Sequence, residues 1–482
     1  MTRRSQDRII KKDTYIIIGG GASGALTAYH LARRTAGARI IVVEPRPRPG
    51  LGLAYSTPIL QHLLNVPSAK ISALPDQPNH FLFWAQRYYD PAMTGVDFAP
   101  RAVFGRYIQS LLARTPEVEH LQATAVNCRL EGGRAVVELA DGSTLAADAV
   151  VLATGNFEPA PLPGVAEEAI QSGVYRHSAW DGESYRDLDP EAPVTLIGTG
   201  LTAVDVILRL RETGHRGPIT AVSRHGVFPN RHAFYRPLCK CVIGGKAPTT
   251  VRALLHEVHM AIRGGLPWRA VIDSLRERTN EFWLALPLDE QRRFRRHLQR
   301  RWEVVRHRMA PPIADAIDAE LRARSVVIRQ GNLEEVTTED DGARVRARAR
   351  DGAAFEVTAA RVINCTGPDM NYRRVGSALL NSLFAQGLIT PGPLGGGLWS
   401  DEDGALRAAD GSFSEVLFTV GPARQGTLVE SIAMPELRTQ AAELAELLVA
   451  RKHRMPARDR AVVQAANSGV MLPMPELAER RA

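Results

Sequence analysis

The sequence predicts an α/β fold: two Rossmann-like, three-layer dinucleotide-binding domains with β-meander insertions and a helical insertion. Three observations predict it. Two glycine-rich turns stand far apart, each between a short apolar run and an amphipathic stretch. After each turn comes a segment that reads as strand, tight turn, strand and returning apolar strand ending in Thr-Gly. Within the second unit lies an arginine-dense stretch of helical periodicity.

The first turn follows the apolar run Tyr15–Ile18 and reads Gly19-Gly20-Gly21-Ala22-Ser23-Gly24. In a G-x-G-x-x-G turn the first glycine permits the tight bend, the second lets backbone approach a pyrophosphate, and the third lets helix and strand pack closely. The helix that follows offers unpaired N–H groups and a positive dipole end to the phosphates. The next apolar run, Arg39–Val43, ends in Glu44, placed to accept from a ribose hydroxyl pair. The second turn follows Val194–Ile197 and reads Gly198-Thr199-Gly200-Leu201-Thr202-Ala203, with Ala203 in the third glycine's place. Its next strand, Ile219–Ser223, ends without an acid and runs into Arg224, a cation suited to a 2′-phosphate. Two turns imply two nucleotides, a flavin and a nicotinamide, and Arg224 favours NADPH.

The repeated segment carries Asp141-Gly142 in its first copy and Asp351-Gly352 in its second, both hairpin signals. The copies end in Thr154-Gly155 and Thr366-Gly367, expected to bring the chain back beside each nucleotide. The pattern assigns 1–188 and 368–482 to a discontinuous FAD-binding domain. Residues 189–367 form the NADP(H)-binding domain, with the helical insertion at about 246–324 capping the site between them. Toward the end, Phe418–Val420 reads as a last strand, Gly421–Gly426 as a loop, and Pro435 as the first turn of a long helix.

Of the 482 residues, 45% are hydrophobic, as in globular proteins, and the formal net charge is +8. The arginines are spread along the chain without a basic tail, which points to anionic small molecules rather than nucleic acid. Met1–Lys12 lacks an apolar signal region, and no apolar run reaches membrane-spanning length, so a cytoplasmic protein is expected. The four cysteines include no C-x-x-C pair, which argues against a dithiol oxidoreductase. His256 and His259 lack the spacing of a helical zinc pair, and no metal site is expected.

With these motifs in place, the chain resembles the flavoproteins with two dinucleotide-binding domains, and among them the flavin-dependent monooxygenases that include N-hydroxylases. Further segments carry the resemblance: Pro49–Ser56, which contains Gly52; His62–Ser68; Trp302–Pro311; and Gly421–Gly426. It implies that Gly52 and Gly421 help to hold the flavin. It also implies that Asn65, in an Asn-x-Pro, presents its amide to a flavin hydroperoxide. His177 lies in a segment similar to the monooxygenase signature before the second turn, although Trp180 comes one residue early. Gly421-Pro422 replaces the family's usual Gly-Asp. Arg306, Arg308, Arg424 and Arg438 are candidates for an anion clamp on a carboxylate substrate, and His307 or His177 for taking an amine's proton.

The activity so implied is NADPH-consuming, FAD-dependent hydroxylation of a small amine or amino acid, L-aspartate being one candidate, with O2 as co-substrate. Two alternatives stay open: a flavin-dependent NAD(P)H reductase or dehydrogenase serving another acceptor, and a non-catalytic flavin-binding sensor. No partner beyond small molecules is implied, and an oligomer is compatible with all three.

Overall fold

The computed structural model of the chain describes residues 13–454; the expected domain flanks 1–12 and 455–482, and the expected absence of a signal region in Met1–Lys12, lie outside them. Two parallel sheets organise the fold. In the first, Thr14–Ile18 is central, with Arg39–Val43 and then Val118–Leu121 on one side. On the other side stand Ala149–Leu152, Phe413–Thr419 and the short antiparallel Ala405–Arg407. In the second sheet Val194–Ile197 lies between Ile219–Ser223 and Arg361–Asn364, with Val326–Gln330 and Tyr175–Arg176 at the edges. Tyr175–Arg176 pairs with Val362 and Ile363, so a strand of the second sheet precedes the boundary expected at 188.

Both sheets are covered on both faces, which is why their strands read as unbroken apolar runs. Side chains alternate across a strand. Accordingly Ile16 and Ile18 pack with Cys128 and Val137 of the meander, while Tyr15 and Ile17 pack with Leu31 and Leu444 of two helices. The second sheet repeats this. Leu196 and Ile363 face the helices Leu201–Glu212 and Pro311–Ala323, and Ile197 and Val362 face Val336 and Val345. Each meander is a three-stranded antiparallel sheet: Ala125–Glu131, Arg134–Leu139 and Thr144–Ala147 in one unit, Asn332–Glu339, Gly342–Arg348 and Ala354–Ala359 in the other.

The helical cap consists of Val251–Arg263, Trp268–Ser274, Thr279–Ala285, Leu288–His297 and Gln299–Arg306, followed by Pro311–Ala323. The C-terminal helix, Met434–Arg454, lies along Ala22–Arg34. No helix of the described residues is long and apolar enough to cross a membrane.

Candidate functional site

The two glycine turns are built alike. Gly19 has φ +105° and Gly198 has φ +121°, a region that favours glycine. A Cβ on Gly19 would lie 2.2 Å from the Ala153 carbonyl oxygen, and one on Gly198 would lie 2.6 Å from that of Cys365. Each turn is therefore pressed against the residue preceding its returning Thr-Gly. A Cβ on Gly24 would stand 1.9 Å from the Gly19 carbonyl oxygen, whereas Ala203 fits fully buried. The helices begin at Gly21 and Gly200 with no side-chain cap, leaving their first amides for a ligand.

Around the first turn, Gly52 comes close enough that its Cβ would lie 3.1 Å from Gly21 Cα. The Gly20 and Arg46 amides donate to the Glu44 carboxylate at 2.7 and 3.0 Å, one to each oxygen. Each oxygen keeps a further lone pair, as a ribose contact requires. Thr154 Oγ1 is buried without a partner, and Gly155 leaves open space where a Cβ would be. Gly421, at φ +80°, sits so that a Cβ would lie 2.4 Å from the Oγ of the buried Ser23. The loop after the last strand thus returns to the first turn beside Ala22. These residues fit a flavin dinucleotide.

The second turn opens on a cleft of about 840 Å³. Gly198, Gly200, Thr202, Arg224, Thr366 and Gly367 line it, together with Gln425, Leu428 and Ile432 of the C-terminal segment. The cap adds Phe294, Arg295, Arg300, Trp302 and His307 to its wall. Arg300 donates to the carbonyls of Thr199 and Val227 at 2.9 and 2.7 Å, tying the cap to the turn. Burial first, then the charges of Arg224, Arg300 and Arg301, hold the His225 imidazole below its ordinary pKa. That concentration of cations suits an anionic group such as a 2′-phosphate.

None of the four expected clamp arginines lines the cleft; Arg306, Arg308 and Arg438 lie around Arg276, and Arg424 stands apart from them. Arg306 is buried, 3.2 Å from Glu430 and 3.8 Å from Glu436. Arg308, 1% exposed, pairs with Asp273 and does not line the cleft. Arg424 donates to the carbonyls of Asp401 and Glu402 at 3.0 and 2.7 Å. Arg438 donates to the Ser72 carbonyl at 2.9 Å. Burying an arginine requires such partners, yet each of the four keeps at least one buried guanidinium nitrogen without a hydrogen bond. His177 does not line the cleft either; its ring lies 6.5 Å from that of Tyr175. His307 does line it, with its pKa pushed down to about 4, chiefly by burial and then by Arg306. Asn65 accepts a 2.9 Å hydrogen bond at its carbonyl from His232 Nε2. The sequence reading missed Arg295 and Arg300, whose helices look like solvated basic surface.

A family model described as FAD-NAD(P)-binding matches residues 16–157, the segment holding the first turn, Glu44 and Thr154-Gly155. This segment is an FAD/NAD(P)-binding domain. No curated protein matches the sequence. Among solved structures, ornithine hydroxylase from Pseudomonas aeruginosa superposes with a TM-score of 0.62 at 15% identity, covering 92% of this chain and 100% of that one. The Kutzneria sp. 744 ornithine N-hydroxylase, in a complex with reduced FAD, NADP+ and L-ornithine, gives 0.59 at 15% identity over 92% and 100%. Bacillithiol disulfide reductase from Bacillus cereus gives 0.54 at 17% identity, again over 92% and 100%. The FAD/NAD(P)-binding segment is thus the N-terminal part of a fold shared by flavin hydroxylases and flavin disulfide reductases.

Proposed function

We propose that the protein is an FAD-dependent, NADPH-consuming oxidoreductase that hydroxylates the nitrogen of a small amine or amino acid. The observation that carries this reading is the shared cleft. Its wall combines a cationic nucleotide turn, the loop leading back to the FAD turn and residues of the cap. When bound, FAD supplies two-electron acceptance from the nicotinamide and activation of O2.

The chain's own residues bind, orient and exclude water. Gly19, Gly21 and Gly24 with the helix N-terminus would hold the flavin pyrophosphate, and Glu44 its ribose. Gly198, Gly200 and Thr202 would hold the second pyrophosphate, with Arg224, His225 and Arg300 on the 2′-phosphate. Trp302, Leu428 and Ile432 give the cleft an apolar stretch of wall. His307 is neutral at pH 7 and can accept a hydrogen bond from an incoming ammonium. Its depressed pKa makes it a weak proton acceptor, so the amine has to leave its proton to solvent water before it enters. Asn65, fixed at its carbonyl by His232 where the two units meet, is the amide assigned to the oxygenation step. L-Aspartate is a weaker candidate than the resemblance suggested, because Arg306, Arg308, Arg424 and Arg438 do not line the cleft.

A second reading, reduction of a disulfide or another acceptor, has the shared fold in its favour. Cys128 and Cys365 are buried, however, and burial pushes both thiols up, Cys128 to about 11, while the more accessible Cys239 and Cys241 form no C-x-x-C pair. The deciding experiment is to purify the yellow holoprotein and measure NADPH oxidation with amines under labelled O2. Amine-stimulated oxidation with label in the product is expected. Equal oxidation without O2, given another acceptor and no oxygenated product, selects the second reading.

A further inference from the structure

Inside the cap lies a second pocket of about 120 Å³. Leu254, Leu255 and Val258 of one helix, with Ile272 and Phe282 opposite, form most of its wall. It shares Phe294, Trp302 and Val429 with the cleft, so the two spaces adjoin. The polar atoms in its wall are already bonded: Trp283 Nε1 to the Thr427 carbonyl at 3.1 Å, Trp302 Nε1 to Glu430 at 3.3 Å, and Thr279 Oγ1 to the Leu275 carbonyl at 2.9 Å. A water there would find no partner, and neither would a polar or charged side group. Only an apolar occupant gains from entering.

We propose that this pocket takes the hydrocarbon part of the substrate, with the amine nitrogen left in the cleft. The inference rests on the N-hydroxylation reading and narrows its substrate to an amine bearing an apolar chain or ring. Size sets the group: an apolar cavity of roughly 150 Å³ accepts benzene, so this one suits about four or five carbon atoms. The wall common to the two spaces points the same way, since Phe294, Trp302 and Val429 are all apolar.

Straight-chain amines from ethylamine to heptylamine, titrated calorimetrically into the oxidised holoenzyme without NADPH, test the pocket apart from turnover. The dissociation constant should fall about fourfold per methylene, the worth of one buried CH₂, and level off near pentylamine. Leu255→Trp, which fills the pocket, should abolish that dependence while the bound-flavin spectrum stays intact. Val258→Ala, which enlarges it, should extend the rise by about one carbon. A flat series, a slope that survives Leu255→Trp, or tighter binding of L-aspartate than of pentylamine would overturn the pocket assignment. Adding NADPH and O2 to the same series then tests the parent reading. Chain-length-dependent binding without any stimulated NADPH oxidation would defeat N-hydroxylation, whereas a flat binding series with stimulated oxidation would defeat only the pocket.

Discussion

A Cβ on Gly24 would collide with the Gly19 carbonyl oxygen at 1.9 Å, yet one on Gly21 would meet only Gly52 Cα at 3.5 Å. The two glycines therefore fail differently. Gly24→Ala forces helix from strand and should cost about 1–3 kcal/mol as overpacking, read by chemical denaturation. Gly21→Leu should fold and yet purify colourless, because its side chain occupies the phosphate space; a fully flavin-loaded protein would contradict the first motif. Arg224→Ala should raise KM for NADPH about tenfold to a hundredfold, the loss of one charge-assisted contact of about 1.5–3 kcal/mol, and leave NADH unaffected. Equal losses would remove the 2′-phosphate assignment. His30, His232 and His307 each have a pKa lowered to about 4, with burial as the leading cause. Their unfolded values lie near 6.5, so between pH 4 and 6.5 the unfolded chain binds more protons than the folded one. This contribution to stability is complete above pH 6.5 and is lost as pH falls toward 4. The thermal midpoint should drop over that window, and His232→Gln, which keeps a donor for the Asn65 carbonyl, should flatten the drop.

Among elements, the cap is fastened to the C-terminal segment by buried charge. Arg276 makes a bidentate pair with Glu436 at 2.7 and 2.8 Å, and Arg306 lies 3.2 Å from Glu430, whose acid pKa is raised mainly by burial. Arg306→Met should destabilise by about 3–5 kcal/mol, because it strands Glu430 in the interior. Arg306→Met with Glu430→Met should recover most of that loss in the same denaturation assay. These partners also mark where the sequence stops being legible. Glycine turns, meanders and the cap's helices announce themselves through local chemistry and periodicity, over spans of a few residues. An arginine reads the same whether it meets a substrate, a carboxylate or a carbonyl. Arg308 is answered by Asp273, Arg306 by Glu430, and Arg424 by two backbone oxygens, none of them signalled by local pattern. Arg295 and Arg300 were hidden for the converse reason, since the exposed arginines around them make their helices look uniformly solvated.

At the scale of the molecule, the fold class follows from pieces that each read locally, but how the two units face each other does not. That is set by a few buried polar contacts between distant parts of the chain. His62 is fixed by Thr57 at Nδ1 (2.8 Å) and by the Asp205 carbonyl at Nε2 (2.9 Å). Arg101 joins the Asp205 carboxylate at 2.8 Å, where the aspartate side chain is 7% exposed. Asp205 lies on the helix that begins at the second glycine turn, so these contacts fasten the nicotinamide unit to the flavin unit directly. A buried carboxylate with one cationic partner is a stringent fastening, since removing the cation strands the charge. The two units should therefore unfold together, with flavin release and loss of helical circular dichroism coinciding on heating. Arg101→Ala should separate the two signals and slow anaerobic reduction of the flavin by NADPH severalfold. The dissociation constant for NADPH should stay unchanged, because Arg224 and the second turn are untouched. Unaltered flavin reduction in Arg101→Ala would show that the cleft holds its geometry without this fastening, and the orientation of the two nucleotides would then have to come from the cap alone.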